Sequence, residues 1–323
     1  MKTLEEIQAL LARAVEQVDL EREPQGLYAP VRYTLSLGGK RVRPALVLLA
    51  CNLFADDVTP AVAPALGLEI FHNFTLLHDD IMDKADVRRG HPTVHRKWDE
   101  NTAILSGDAM QMVACRYMCQ APAHDLPRVL DAFTRMALEI CEGQQYDMEF
   151  ERRTEVTAEE YLEMIRLKTA VLLATALRIG AWIGGAGDGD ADRLYDFGIN
   201  LGLAFQLKDD LLDVYGDERT FGKKIGGDIS CNKKTYLLIQ ARRLATGDDA
   251  AELARWLATD VPSHGKIEAV TALYDRLGVR RICEDKMEQY YRQAVASLDN
   301  VSVSDDKKQE LRKLAGKLML RNE

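Results

Sequence analysis

The chain has 323 residues, 47% of them hydrophobic, with 22 glycines against 9 prolines: material for one large or two modest globular domains with a real core. Its formal net charge of −9 excludes a general polyanion binder, because a nucleic-acid partner demands a strongly basic face. No apolar run reaches the roughly 20 residues that span a bilayer, so no transmembrane segment is expected.

In chain order, the amino-terminal MKTLEEIQALLARAVEQV reads as a short amphipathic helix rather than a signal peptide. Apolar spacing near 3.6 residues then recurs in RVRPALVLLACNLFA, VAPALGLEIFHNFTLLHDD, AILSGDAMQMVACRYMCQ and RVLDAFTRMALEICEGQQYDMEF. It continues through TAEEYLEMIRLKTAVLLATALRIGAWIGG, DRLYDFGINLGLAFQLKDDLLDVYG, KKTYLLIQARRLA and DAAELARWLA. KIEAVTALYDRLGVRRICEDKMEQYYRQAVASL and DDKKQELRKLAGKLML complete the series. Alternating strand patterns are missing, and the breaks (LSLGGK, RRGHPT, APAHDLPR, GGAGDGDAD, TDVPSHGK) carry Gly, Pro and Asp. Several central helices are apolar on more than one face, which places them among other helices. The expectation is an all-α fold, one domain over residues 1–323. The cysteines (Cys51, Cys115, Cys119, Cys141, Cys231, Cys283) are scattered through helical contexts, as buried thiols of a reduced, cytoplasmic protein would be.

Two segments break the pattern. LLHDDIMD, residues 76 to 83, sets Asp79, Asp80 and Asp83 in an apolar run, and FQLKDDLLD repeats this with Asp209, Asp210 and Asp213. On a helix the i and i+4 carboxylates are neighbours about 5–6 Å apart at Cβ, and such like charges destabilise it unless something neutralises them. The middle aspartate is displaced by about 100°. Carboxylates without His or Cys favour a hard cation, Mg²⁺, which takes one or two carboxylates together with substrate phosphates. Neither cluster has the EF-hand loop, and matching triads do not suit the opposed carboxyl pair of a glycosidase.

Cations that could hold phosphate cluster beside glycine: Lys40, Arg41 and Arg43 in GGKRVRP, Arg88 and Arg89 in RRGHP, Lys223 and Lys224 in FGKKIGGD, Lys233 and Lys234 in NKKT. Lys168, followed by Thr169, stands in an otherwise apolar helix. No P-loop or dinucleotide glycine fingerprint is present, which argues against a nucleotide.

GGKRVRP, LLHDDIMDKADVRRGHPTVH, LKTA, FQLKDDLLDVYGD and GKKIGGDISCNKKT, in this order and spacing, resemble the trans-isoprenyl diphosphate synthases, or polyprenyl synthetases, over about residues 35 to 240. The resemblance implies an all-α fold around a central cavity and a homodimer. It also implies two aspartate motifs holding three Mg²⁺ ions through an allylic diphosphate. Asp79 and Asp83 would bind two ions and Asp209 the third, supported by Asp80, Asp210 and Asp213. Arg88, Lys168 and Lys223 would contact the allylic diphosphate (dimethylallyl, geranyl or farnesyl). Lys40, Arg43, His72 and Arg89 would hold isopentenyl diphosphate. Thr169 and Gln206 would steady the carbocation, and Lys233 the leaving diphosphate. Apart from the resemblance, the C-terminal KLAGKLMLRNE is expected to fold over the site and contribute Arg321. The last motif departs from the family, with Asn232 where it often has Gly.

The growing chain should end against a bulky residue one or two turns before the first motif. Phe74, five residues before Asp79, and Phe71 are the candidates, although ideal helix rotation puts Thr75 more nearly in line with Asp79. This pattern resembles synthases of C20 geranylgeranyl diphosphate, with C15 farnesyl diphosphate as the alternative. A terpene cyclase should carry a different second metal motif where DDLLD stands. A non-catalytic partner subunit should lack the aspartates.

Overall fold

The computed structural model describes residues 1–216, 225–259 and 264–320. Its regular structure is helical apart from a two-residue hairpin, β1 (Val87–Arg88) with β2 (His91–Pro92). No described helix is long and apolar enough to cross a membrane. The chain divides into two compact units.

The first unit comprises Met1–Thr134, Thr175–Leu194 and Ser302–Leu311. Helix α1 (Leu4–Glu16) opens with a capping box: Thr3 Oγ1 accepts the Glu6 amide and the Glu6 carboxylate accepts that of Thr3, while Leu4, Ile7 and Leu11 are buried. Helix α2 (Gln25–Ser36) is absent from the sequence expectation, because Pro24 and the internal Pro30 read as breakers. Helix α3 (Val42–Phe54) is buried continuously from Pro44 to Leu53, as its apolar faces require. Helix α4 (Thr59–Met82) runs along α6 (Glu100–Met118), past the short α5 (Val94–Lys97). The α4–α6 contact is close because Gly67 lies against Met118 and Ala114, and Gly107 against the His78 ring, where a Cβ would come within 2.2 Å of Nε2.

The second unit comprises Arg135–Ala174, Tyr195–Val301 and Arg312–Glu323. It contains most of α7 (Leu126–Arg152) and α8 (Ala158–Ile165), then a π-helical turn, Arg166–Ala170, leading into α9 (Val171–Ile183). It also holds most of α10 (Asp188–Tyr215), then α11 (Gly227–Ser230), α12 (Tyr236–Leu244), α13 (Gly247–Leu257), α14 (His264–Arg276) and α15 (Val279–Asp299). Helix α16 (Asp305–Met319) follows. Phe150, Tyr161, Leu207, Leu237, Leu273 and Cys283 are in its core.

Two long predicted helices are each broken. The run around LKTA is interrupted by the π turn, and the run from residue 266 breaks at Gly278, whose φ of 67° favours glycine.

Candidate active site

In the first unit, Asp79 and Asp83 occupy the last turn and the C-cap of α4. The helix stops there in a Schellman arrangement: the Ala85 amide bonds the Asp80 carbonyl at 2.9 Å, the Lys84 amide bonds that of Ile81 at 3.2 Å, and Lys84 takes φ 52°. The two carboxylates therefore face each other's charge and the negative end of the helix dipole as well. Asp80 turns inward and is 4% exposed. Both its oxygens accept from Arg88 Nε, at 2.8 and 2.9 Å, and Arg88 Nη2 lies 2.7 Å from Oδ1.

The basic residues of the first unit converge through the hairpin. Arg89 (φ 53°) and Gly90 (φ 78°) are its two turn residues, both with the positive φ that a tight hairpin turn needs. That turn sends the Arg89 guanidinium to the Gly38 carbonyl and against Gly39, where a Cβ would meet Cζ at 3.0 Å. Lys40 is exposed beside this glycine pair, and Arg43 stands in the first turn of α3. His72 is pushed well below the usual histidine range by burial and by the guanidiniums of Arg43, Arg89 and Arg88. A neutral imidazole among three guanidiniums is a place made for an anion.

The second unit repeats the carboxylate pattern near the C-terminal end of α10. Asp209 and Asp213 are half-buried, and Asp213 Oδ2 accepts the Asp228 amide at 3.0 Å, at the start of α11. Asp210, 3% exposed, turns inward like Asp80. It accepts from the Tyr161 hydroxyl and from Gln206 Nε2, and Gln206 Oε1 accepts from Thr169 Oγ1 at 3.2 Å. Burial and the neighbouring Asp228 push the Asp210 carboxyl up to about 8, against those two donors and Lys233.

Lys168 and Thr169 lie on the π turn, a geometry frequent at functional sites. Lys168 Nζ reaches Asp147 Oδ2 at 2.6 Å, and Lys233 Nζ reaches the same oxygen at 3.7 Å. Burial would raise the Asp147 carboxyl, but Lys233 and Lys168 outweigh it and hold it below the usual range. Asn232, the departure from the family motif, has φ 58°, a conformation natural to glycine and tolerated by asparagine. Lys223, Lys224 and Arg321 lie outside the described residues.

Among the described residues no three His, Cys, Asp or Glu side chains form a ready-made metal cage. The donors that are present, carboxylate oxygens at helix C-termini, fit a hard cation that brings phosphate oxygens and water of its own.

The sequence model of the polyprenyl synthetase family matches residues 24–274. The chain belongs to the polyprenyl synthetase family. It is 40% identical over 281 residues to geranylfarnesyl diphosphate synthase of Natronomonas pharaonis, covering 81% of this chain and 80% of that one. It is 42% identical over 231 residues to geranylgeranyl diphosphate synthase of Methanosarcina mazei, covering 71% of each. A crystal structure of a geranylgeranyl pyrophosphate synthase superposes with a TM-score of 0.95 at 43% identity, over 99% of both chains. The geranylgeranyl pyrophosphate synthase of Corynebacterium glutamicum, solved with isoprenyl diphosphate and magnesium, superposes with a TM-score of 0.85 at 29% identity, over 98% of both.

In this polyprenyl synthetase the aromatic residues upstream of Asp79 are not equivalent. Phe71, 1% exposed, lies in the core between Phe74, tilted at a ring-centroid distance of 5.4 Å, and Phe133, edge-on at 5.3 Å. Phe74 is 9% exposed and sits edge-on to the His78 ring at 4.8 Å. Thr75 is half-buried, its hydroxyl donated to the His72 carbonyl at 2.8 Å. Sequence patterns alone did not single out Asp147 or Tyr161. The only hint for Asp147 is the polar run GQQYD, with its glycine, in the middle of a 27-residue helix.

Proposed function

We propose that this trans-prenyltransferase condenses isopentenyl diphosphate with an allylic diphosphate, giving a short all-trans chain, with C20 geranylgeranyl diphosphate as product. The observation that carries this is the pairing of two chemistries: aspartate pairs at the C-terminal ends of α4 and α10, and a separate guanidinium cluster around His72. One diphosphate bound through metal and a second bound by cations alone is what this condensation needs. Residues 1–323 are read as one polyprenyl synthetase domain, since the family match runs through segments of both units.

Asp79 and Asp83 would hold two Mg²⁺ ions and Asp209 a third, with Asp80, Asp210 and Asp213 orienting them. The bound ions would neutralise the charge that develops on the departing diphosphate. Arg88 and Lys168 would bind that diphosphate, each with its side chain already positioned by a carboxylate, and Lys233 would add charge as it leaves. Lys40, Arg43, His72 and Arg89 would hold isopentenyl diphosphate with its double bond toward the allylic carbon. Neutral His72 can donate or accept one hydrogen bond without adding charge. Thr169 and Gln206 would present oxygen atoms to the carbocation. The double bond of isopentenyl diphosphate is the nucleophile and the released diphosphate would take the proton lost after C–C bond formation, so neither a side-chain nucleophile nor a side-chain base is required.

Purified protein incubated with Mg²⁺, isopentenyl diphosphate and dimethylallyl, geranyl or farnesyl diphosphate tests this reading. Product chromatography separates C15, C20 and C25, and hydrocarbon formed without isopentenyl diphosphate would instead make the protein a cyclase. For Phe74→Ala we expect longer products than the parent enzyme makes; an unchanged product distribution would move the chain-length floor elsewhere.

A cytoplasmic homodimer completes the proposal. Ile104, Leu105 and Met112 leave an apolar stripe on α6 at 45%, 60% and 58% exposure, the kind of surface that a second copy covers. Sedimentation should give twice the chain mass, falling toward the monomer for Leu105→Asp.

A further inference from the structure

A chain of hydrogen bonds links the core of the second unit to Thr169. Tyr161, 1% exposed, donates its hydroxyl to Asp210 Oδ2. Gln206 Nε2 donates to Asp210 Oδ1 at 3.3 Å, and Thr169 Oγ1 donates to Gln206 Oε1 at 3.2 Å. Tyr161 stands on α8, Thr169 on the π turn and both Gln206 and Asp210 on α10, so the chain ties three segments together.

The arrangement has a direction. A carboxamide is a donor at one end and an acceptor at the other, and its neighbours decide which way round it lies. Here Asp210 Oδ1 takes the NH₂ end of Gln206, while its other oxygen takes the Tyr161 hydroxyl. The oxygen end is then left for Thr169, whose hydroxyl proton is used in that bond. Gln206 Oε1 thereby keeps a second lone pair, and Thr169 Oγ1 its own lone pairs, for a cation beside the pair. Reversed, the carboxamide would present NH₂ there and repel a cation. What anchors the NH₂ end is the position of Asp210 Oδ1, and the group that holds the other oxygen of that carboxyl is the Tyr161 hydroxyl.

We propose that Tyr161 is a positioning residue that sets the polarity of the carbocation pocket, by holding Asp210 so that Gln206 keeps its oxygen toward Thr169. This rests on the trans-prenyltransferase reading. Tyr161 touches no reacting atom. Its part is to keep a buried carboxylate in one rotamer, and a buried oxygen deprived of its donor would seek another.

Steady-state kinetics of the full-length enzyme with Mg²⁺, isopentenyl diphosphate and farnesyl diphosphate test this. Tyr161→Phe removes one oxygen and keeps the ring. It should lower kcat roughly tenfold, an indirect fraction of what a lost oriented dipole costs, and leave the KM for isopentenyl diphosphate within about twofold. In a Gln206→Leu background, where the relay is already cut, the same substitution should cost less than about twofold. An unchanged kcat for Tyr161→Phe, or an equal loss in the Gln206→Leu background, overturns the relay. Should Tyr161→Phe not fold, Asp210→Asn at saturating Mg²⁺ substitutes for it, since asparagine can offer NH₂ to Gln206 and permit reversal. A kcat loss that vanishes in the Gln206→Leu background supports the relay, and an unchanged kcat overturns it. A parent enzyme that makes no prenyl diphosphate defeats the functional reading itself, whereas an active parent with an indifferent Tyr161→Phe defeats only the relay.

Discussion

Asp79→Ala and Asp209→Ala should each lower kcat by roughly 10³-fold or more, because each removes an oxygen that anchors the charge opposing the departing diphosphate. Neither should unfold the protein. In the absence of metal, each substitution deletes one of two like charges at i and i+4 near a helix C-terminus, so the melting temperature should hold or rise slightly. Loss of activity without loss of stability marks a residue retained for function. Thermal melts with and without Mg²⁺ and inorganic diphosphate check this directly. Ligand-induced stabilisation should be present in the parent and reduced in both variants. Near-normal turnover for either variant would remove that aspartate from the metal site.

Gly143→Ala should damage both the fold and the turnover. A Cβ on Gly143 would lie 2.4 Å from the Lys168 amide nitrogen and 2.8 Å from its Cα, and these backbone atoms cannot move unless the π turn does. Gly202 approaches the same turn from α10, where a Cβ would meet Ala170 Cα at 2.5 Å. The turn carrying Lys168 and Thr169 is thus held against two helices by the absence of two methyl groups. Overpacking of this kind costs about 1–3 kcal/mol, and Lys168 would be displaced from Asp147 as well. We expect a lower melting temperature together with a kcat loss larger than the destabilisation accounts for. Gly316→Ala, also in a helix but with nothing within 4 Å of its Cβ, should do the reverse and stabilise by about 0.5–1 kcal/mol. Differential scanning calorimetry on the two variants separates them by sign. A harmless Gly143→Ala would show that the π turn is not pinned there.

The sequence by itself determined the chemistry. Three like charges in an apolar helix, twice, are legible without coordinates, because helical spacing alone brings Asp79 to Asp83 and Asp209 to Asp213, and like charges so placed call for a cation. The helical class was legible for the same reason, since a 3.6-residue apolar period is a local property. Local signals mislead in two places: Pro24 and Pro30 conceal α2, and the continuous helical period through LKTA conceals the π turn.

Only the tertiary structure decided which side chains meet. It turned Asp80 and Asp210 inward, each onto a partner that its own helix does not supply, Arg88 in one unit and Tyr161 in the other. It brought Lys168 and Lys233 to one carboxylate, Asp147, which belongs to no recognisable motif. It packed Phe71 between Phe74 and Phe133, and Phe74 against His78. These distinctions depend on which backbones approach closely enough for side chains from distant parts of the chain to meet. Close approach is set by glycines such as Gly143 and Gly202, whose significance lies in the neighbour they admit, and a one-dimensional pattern does not carry that neighbour.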